Sequence, residues 1–195
     1  MSDKQPLKAR GKDAKILKYT DSSSELDTPK KILKVNHAGE FGAINIYRSQ
    51  IFICKIFNKK LVPLLESFLT DEKRHLEIFW KEIKSRNGVK CKSFWLCGLG
   101  GYCMGFLSAL LGKNGIMACT WAVESVVVNH LKEQIIYLKS KDDKDALYAV
   151  ESILEDEVNH MDVGFNNNGS SNVWYKPIRW SISLFTEVII RFGMR

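Results

Sequence analysis

Apolar residues recur at helical spacing along most of the chain after residue 27, and no stretch alternates as a half-buried β-strand would. Thr28 followed by Pro29 is a typical helix start, Pro63 marks another, and Asn87 followed by Gly88 is a typical stop. We expect an all-α fold, preceded by a flexible basic tail over the polar, aperiodic residues 1–27. The predicted helices cover residues 28–57, 63–86, 94–111, 115–139, 143–163 and 177–192.

The compositions of two of these helices raise the question of contact with a membrane. Residues 93–112 carry no charge, which meets the length criterion for a membrane span, but residues 98–105 alone include four glycines. We favour a segment that is buried in the protein or lies in the lipid interface over one that crosses the bilayer. The last helix has an apolar stripe, which fits either a core-packing helix or a membrane-facing one with basic flanks. The stripe consists of Ile178, Ile182, Phe185, Ile189 and Phe192.

The chain of 195 residues has a formal net charge of +7, and the distribution of that charge narrows the choice of partners. Residues 1–35 hold 9 Lys and Arg against 5 Asp and Glu, residues 173–195 hold 4 against 1, and residues 36–172 hold 16 against 16. A nucleic-acid-binding enzyme would more often carry its basic residues on the folded body. Basic ends around a neutral body favour contact with an anionic membrane surface, and we expect no nucleic-acid partner.

The cysteines indicate reduced thiols rather than a disulfide framework or a metal site. Their number is odd, no Cys-x-x-Cys occurs, and the start does not resemble a secretory signal peptide. The spacing fits neither a zinc nor an iron–sulfur motif, so we expect ordinary small apolar residues. The five are Cys54, Cys91, Cys97, Cys103 and Cys119.

The motif Glu-x-x-His occurs twice, as Glu72–His75 and Glu157–His160, where chance would give about 0.25 copies for a chain with 12 Glu and 4 His. Both copies lie in predicted helices, so the Glu and His of each share one face and can bind one metal ion from one side. An aspartate precedes each copy, Asp71 in the first and Asp156 in the second. These two are either hydrogen-bond partners that orient the histidines or surface acids.

An earlier predicted helix supplies a further glutamate ahead of each motif. Glu40 lies 32 residues before Glu72, and Glu124 lies 33 before Glu157. Both earlier glutamates sit in apolar stretches, where an unpaired carboxylate would be costly. This duplicated pattern matches the di-iron or di-manganese sites of ferritin-like four-helix bundles. We expect such a bundle over residues 28–195, with additional interfacial helices and six metal ligands. The ligands are Glu40, Glu72, His75, Glu124, Glu157 and His160.

The composition of this ligand set favours iron or manganese over zinc, because it is rich in oxygen with one nitrogen for each metal ion. Three further side chains lie near it. His37, three residues before Glu40, is expected either to hydrogen-bond near the site or to pack. His130, six residues after Glu124, is expected either to line a substrate channel or to be structural, and Tyr47 fits a core tyrosine better than a redox one.

Several segments around these glutamates resemble a known family. Residues 35–43, Val-Asn-His-Ala-Gly-Glu-Phe-Gly-Ala, resemble the first-helix signature of the demethoxyubiquinone hydroxylases of ubiquinone biosynthesis. Residues 110–124 resemble the segment around the third-helix ligand of that family, and residues 157–162 resemble the segment that carries its last ligands. The resemblance spans roughly residues 30–192, nearly all of the predicted folded part.

The resemblance implies a ferritin-like fold and a di-iron centre that hydroxylates a polyprenylated demethoxybenzoquinol (demethoxyubiquinol) with O2. The six ligands above would bind the iron, with Glu72 and Glu157 as bridges. His130 stands at a position where the family has a histidine near the path taken by the quinone. Leu131 stands where a tyrosine is expected, and Ser125 where a second Glu is common. These departures leave the ligands intact but put an electron-relay role of that region in doubt.

The resemblance also implies a location and partners. The enzyme would bind peripherally to the cytoplasmic face of a bacterial inner membrane or the matrix face of the mitochondrial inner membrane, beside other proteins of ubiquinone synthesis. The electron donor is external and not identified by the sequence, with NADH as one candidate.

Two other functions stay open. A ferroxidase or peroxide-detoxifying protein of the ferritin and rubrerythrin type would use the same ligands. The absence of a rubredoxin-like four-cysteine module and the apolar 94–112 segment argue against it. A non-enzymatic, lipid-binding scaffold of a quinone-synthesis complex would need the apolar surface but not the metal.

Overall fold

The computed structural model describes residues 28–169, 173 and 175–193, and every regular element within them is helical. This confirms the all-α prediction, while the predicted tail over 1–27 lies outside the described residues. A 3-10 helix, Lys59–Leu61, precedes the second helix, and a π-helical turn, Phe165–Gly169, follows the sixth. The helices are α1 (Thr28–Phe57), α2 (Val62–Ser85), α3 (Phe94–Leu110), α4 (Gly112–Ser140), α5 (Lys144–Glu151), α6 (Leu154–Gly164) and α7 (Tyr175–Gly193).

The core is a four-helix bundle in which α5 and α6 together occupy the fourth position. α1 packs along α2, and α4 packs along α6 and α5. The short connection between α1 and α2 makes that pair an antiparallel helical hairpin. α3 covers the outer side of α1, and α7 packs mainly on α4. This is the ferritin-like arrangement with two additional helices that the sequence predicts.

Each long helix has a polar centre between two apolar ends, so the bundle stacks in three layers. At one end the core includes Ile53 of α1 and Phe68 of α2, and at the other Leu33 and Phe79 of the same helices. On α1 the buried carboxylate of Glu40 lies between these layers. The two apolar layers stabilise the bundle and hold the polar layer away from water.

Close contact between α1 and α3 explains the glycines of the charge-free segment. A Cβ on Gly101 would lie 2.2 Å from the carbonyl oxygen of Gly42, and one on Gly105 would lie 2.3 Å from that of Ile46. Only residues without a side chain allow the two backbones to approach this closely. The glycines that dilute the apolar pattern therefore serve packing, and the predicted helix over 94–111 is confirmed as α3.

The opposite side of α3 faces solvent. Trp95 is 72% exposed, Leu99 65% and Leu107 62%. The segment is thus buried on the side that faces α1 and exposed on the other. Among the described residues, none of the helices has the length and apolar character needed to cross a membrane.

The predicted stripe of α7 faces the protein as far as its side chains are described. Ile182 is buried, and Ile178 and Phe185 pack against core residues. Trp180 and Leu184 point to solvent. The side chains of the remaining stripe residues, Ile189 and Phe192, lie outside the described part.

The single helix predicted over 143–163 is wrong, because the structure divides it into α5 and α6 at Ser152 and Ile153. The hydroxyl of Ser152 donates to the carbonyl of Ala149 at 2.9 Å. Such a local side-chain bond competes with the helical hydrogen bonds and favours a break. The N-terminus of α5 is capped by Asp143, which accepts from the backbone N–H of Ala146 at 3.1 Å.

Other boundaries also differ from the prediction, most of them by one or two residues. α4 begins at Gly112, three residues before the predicted Gly115, because Gly112 itself makes the turn with φ 72°. α6 ends at Gly164, one residue beyond the predicted end at 163, and the π-helical turn follows it. There the side chain of Asn167 donates to the carbonyl of Val163 at 2.9 Å, which satisfies a group at the helix end.

Candidate metal centre

The six residues predicted as ligands meet in the polar layer of the bundle. α1 and α4 contribute one glutamate each, and α2 and α6 each contribute a glutamate and the histidine three residues later. All six are buried, with exposed fractions from 0% to 5%. They are Glu40, Glu72, His75, Glu124, Glu157 and His160.

These side chains form two overlapping groups of four. Within each group, one donor atom from every residue lies within 4.8 Å of the others. Glu72 and Glu157 belong to both groups. Glu40 and His75 complete the first group, whereas the second adds Glu124 and His160. Two adjacent cation positions that share two carboxylates are the arrangement expected of a dinuclear site.

Both histidines turn Nδ1 towards the carboxylates. His75 Nδ1 lies 2.9 Å from Glu157 Oε1 and 3.8 Å from Glu72 Oε2. His160 Nδ1 lies 3.2 Å from Glu72 Oε1 and 3.8 Å from Glu157 Oε2. Each imidazole therefore approaches the glutamate of the other motif more closely than its own, and the centre has approximate two-fold symmetry.

The other nitrogen of each histidine meets an aspartate from the opposite motif. His75 Nε2 lies 3.2 Å from Asp156, and His160 Nε2 lies 3.3 Å from Asp71. With Nδ1 facing the glutamates, Nε2–H is the donor in both pairs. A carboxylate behind a histidine fixes the tautomer and ring orientation of a metal ligand. Arg74 reaches both aspartates, at 2.5 Å from Asp156 and 3.4 Å from Asp71.

Aromatic side chains enclose the second group. The hydroxyl of Tyr47 donates to Glu124 Oε1 at 2.8 Å. The ring of Phe68 lies against His160, with 4.3 Å between ring centroids. Tyr47 is itself buried in the core, so it acts as a hydrogen-bonded core tyrosine that touches the site.

The electrostatics of the cluster favour bound cations. Burial raises the pKa of Glu40 and of Glu124 well above its usual range, and the nearby charges of Glu157 and Glu72 raise both further. Burial also acts on Glu72, but the neighbouring imidazoles of His160 and His75 outweigh it and lower that pKa to about 2. Four buried carboxylates repel one another, and two divalent cations would let all four ionise together.

Unpaired polar atoms point to the same conclusion. Both carboxylate oxygens of Glu72 and of Glu157 are buried without a hydrogen bond of acceptable geometry. The Nδ1 atoms of His75 and His160 are in the same state. Buried polar groups normally have partners, and these six atoms face one another as metal donors would. The residues therefore fit a dinuclear metal centre with mixed oxygen and nitrogen ligands.

A largely apolar cavity of about 130 Å³ adjoins the cluster between α1, α3, α4 and α7. Glu40, Glu72 and Glu124 form part of its wall, and His130 lies in the wall as well. The volume is close to that of a ~150 Å³ cavity known to admit a benzene ring. An organic group in this space would lie beside the carboxylates.

The sequence profile of one family, described as "Ubiquinone biosynthesis protein COQ7", matches residues 27–193. The chain belongs to the COQ7 family. This match spans all seven helices and all six clustered side chains.

Curated COQ7-family relatives have names that state an activity. A Dictyostelium discoideum protein, "NADPH-dependent 3-demethoxyubiquinone 3-hydroxylase, mitochondrial", is 31% identical over 85% of this chain and 76% of its own length. A Bos taurus protein of the same name is 29% identical over 98% of this chain and 90% of its own. The "3-demethoxyubiquinol 3-hydroxylase" of Rhodospirillum rubrum is 33% identical over 70% of this chain and 64% of its own.

His37, in the segment that resembles the COQ7-family signature, lies outside the cluster in an aromatic stack. Its ring centroid is 5.0 Å from that of Phe94 and 5.2 Å from that of Trp80. Burial and the charge of Lys90 lower its pKa to about 4, so the ring is neutral. Of the two roles that the sequence allowed, the structure supports packing.

Sequence reasoning missed three polar residues near the centre of this COQ7-family chain. Arg74 adjoins His75 in the motif, but only the fold brings Asp156 to it. Asn36 lies one turn before Glu40, which was a usable signal. Gln134 had no local signal, because its partner Asn36 is 98 residues away.

Proposed function

We propose that this protein is a monooxygenase that hydroxylates a polyprenylated demethoxybenzoquinol, demethoxyubiquinol, with O2 in ubiquinone biosynthesis. One oxygen atom of O2 goes to the ring carbon and the other leaves as water, with two electrons and two protons from an external donor. The family membership and the names of the relatives support this assignment. The observation that carries it is the apolar cavity whose wall includes three of the clustered carboxylates.

We propose that two iron ions bind in the cluster, one in each group of four residues, with Glu72 and Glu157 shared. Bound iron would activate O2, which does not react readily with the substrate ring without a metal ion or a cofactor. Glu40 and His75 would bind one ion, and Glu124 and His160 would bind the other.

The other residues around the site hold these ligands in place. Asp71 and Asp156 keep the proton on Nε2 of the two histidines, so that Nδ1 carries the lone pair for the metal. Tyr47 donates to one oxygen of Glu124 and leaves the other free to bind. The apolar layers above and below exclude bulk water from the reacting centre.

The substrate would enter from a membrane surface. The exposed apolar side of α3, with Trp95, Leu99 and Leu107, would offer contact with the lipid interface, and other residues of α3 line the cavity. We propose peripheral attachment to a mitochondrial inner membrane on the matrix face or to a bacterial inner membrane on the cytoplasmic face. Other proteins of ubiquinone synthesis would be neighbours there.

The electron donor is a nicotinamide cofactor in this proposal. NADH is one candidate, and several curated relatives are named NADPH-dependent. Direct comparison of NADH and NADPH as reductants in the assay below separates the two.

The test is turnover by the purified, iron-loaded protein with a short-tail demethoxyquinol, O2 and a reductant. We expect a product that is one oxygen atom heavier, with the atom derived from 18O2, by mass spectrometry. Glu157→Ala is the matched inactive control, because it removes a residue shared by both groups. No product from protein that holds about two irons per chain would refute the proposal.

The two alternative functions predict different results. Iron oxidation that turns over without quinol would indicate a ferroxidase of the ferritin and rubrerythrin type. Full complementation of a hydroxylase-deficient strain by Glu157→Ala would indicate a lipid-binding scaffold.

A further inference from the structure

Asn36 and Gln134 form a reciprocal pair of amide hydrogen bonds between α1 and α4. Asn36 Nδ2 donates to Gln134 Oε1 at 2.7 Å, and Gln134 Nε2 donates to Asn36 Oδ1 at 3.0 Å. Gln134 is only 3% exposed, and Asn36 is half-buried. Two amides fixed to each other in this way have one defined orientation, because each donor meets an acceptor.

This amide pair lines the cavity that adjoins the metal centre. The other described lining residues are mainly apolar, apart from the carboxylates, the thiol of Cys97, and His130, one turn before Gln134 on α4. Asn36 precedes Glu40 by one turn of α1, a rise of about 6 Å. The cavity thus has two polar regions, the carboxylates and the amide pair, within the length of one aromatic ring and its substituents.

The pair has hydrogen-bonding capacity left for a ligand. A primary amide has two N–H donors and two acceptor lone pairs, and the reciprocal bonds use one of each on both residues. Each amide therefore keeps one N–H and one lone pair. In an apolar cavity, a few such groups fix the orientation of a bound molecule and select for it.

We propose that the Asn36–Gln134 pair binds an oxygen substituent of the substrate ring and so directs the ring carbon to be hydroxylated towards the metal centre. This inference rests on the proposed function, since the occupant is the quinol head group. A 1,4-quinol carries oxygens on opposite sides of its ring, so one oxygen at the amide pair leaves the rest of the ring edge near the carboxylates. An amide both donates and accepts, so it can bind the substituent as a hydroxyl or as a carbonyl. The pair acts as a specificity-determining element.

A purely structural role, tying α1 to α4, makes different predictions. The double variant Asn36→Leu/Gln134→Met replaces both amides by apolar groups of similar size, which leaves neither partner unpaired and changes stability little. The exchanged pair Asn36→Gln/Gln134→Asn keeps both amides and their combined length. Asn45→Leu is the matched control, because it is the same substitution on α1 at a residue that bonds the carbonyl of Phe41 instead.

The experiment measures binding of an oxidised short-tail demethoxyquinone by titration calorimetry, together with KM and kcat for the corresponding quinol. We expect the double variant to raise Kd and KM by about 10-fold or more while kcat changes less, with thermal midpoint and iron content retained. The exchanged pair should recover most of the affinity, and Asn45→Leu should leave Kd unchanged.

The outcomes separate this inference from the proposed function. Unchanged Kd and KM in the double variant, with an active wild type, overturn the role of the pair and leave the hydroxylase assignment standing. Absence of turnover in the wild type overturns the assignment, whatever the variants do. If the double variant does not fold, Gln134→Met and Asn36→Leu are each measured alone, and an unaltered Kd in both single variants overturns the inference.

Discussion

His160 on α6 donates its Nε2–H to Asp71 on α2, 89 residues earlier in the chain, at 3.3 Å. The counterpart bond runs the other way, from His75 on α2 to Asp156 on α6 at 3.2 Å. Each Asp-Glu-x-x-His segment thus supplies the aspartate for the histidine of the other. The two halves of the candidate centre support each other, and neither is complete alone.

These crossed bonds predict weaker metal binding when either aspartate loses its charge. Asp156→Asn and Asp71→Asn should each lower the affinity for iron by about 10–100-fold, because the histidine loses the group that orients it. Competition with a chelator, followed by metal analysis, measures the change. Asp142→Asn is the control, since this exposed residue has φ 53°, which Asn also adopts readily. Equal iron affinity in all three variants would contradict the role of the crossed pairs.

The sharing of Glu72 and Glu157 between two groups predicts unequal effects of removing single ligands. Glu157→Ala takes a donor from both groups, whereas Glu40→Ala takes one from the first group only. We expect about two irons per chain in the wild type, about one in Glu40→Ala and almost none in Glu157→Ala. Plasma emission analysis of protein loaded without oxygen gives the counts. Two irons retained by Glu157→Ala would rule out its place as a shared ligand.

A variant of Tyr47 tests whether this buried tyrosine, next to the candidate centre, carries electrons. Tyr47→Phe removes the donor to Glu124 but keeps the ring in its core position. We expect a loss of about 1 kcal/mol in unfolding free energy and a fall in turnover of less than about 10-fold. Urea unfolding and the quinol assay measure both. A fall of 100-fold or more with iron content intact would instead assign Tyr47 a redox role.

The sequence predicts the candidate ligands because their chemistry is periodic. A glutamate and a histidine three residues apart on a helix, repeated with an earlier glutamate, mark one face of each helix without reference to the fold. The helices themselves follow from apolar spacing and from signals such as Pro63. The contacts across the bundle are different. Nothing local to Arg74 or Gln134 identifies a partner 82 or 98 residues away.

The missed break between α5 and α6 and the unexplained glycines of α3 both have a physical reason. A prediction from periodicity joins α5 to α6 because the apolar spacing continues through Ser152, whereas a single hydroxyl bonded to Ala149 accompanies the break. The glycines of α3 appear unfavourable for a helix until the neighbouring backbone of α1 is known. Both cases depend on where other atoms lie, which a one-dimensional pattern does not contain.

The ion pair between Arg86 and Asp143 predicts a pH-dependent contribution to stability. Two guanidinium nitrogens of Arg86 each lie 2.7 Å from a different carboxylate oxygen of Asp143, and this contact lowers the pKa of Asp143. Because the pKa is lower in the folded state, the stabilisation is present above the unfolded pKa of about 3.9 and is lost as the pH falls through the folded value. Asp143→Asn keeps the helix cap and removes the charge.

We expect Asp143→Asn to lose about 1 kcal/mol of unfolding free energy at pH 7 and the same at pH 5.5, with a smaller loss at pH 3. Urea unfolding at the three pH values gives the comparison. Asp145→Asn, an exposed neighbour in the first turn of α5, serves as the control. A loss that grows as the pH falls would contradict the sign of the shift.

The close approach of α3 to α1 predicts that Gly101→Ala is strongly destabilising. The added Cβ would lie 2.2 Å from the carbonyl oxygen of Gly42, which belongs to the backbone and cannot rotate away. The helices must separate, at a cost of about 1–3 kcal/mol, although alanine is the better helix former. Gly39→Ala on α1 is the matched control for stability, since its Cβ would meet nothing within 4 Å, and it should be neutral or stabilising. Differential scanning calorimetry measures both, and Gly101→Ala as stable as Gly39→Ala would show that α3 does not depend on this backbone contact.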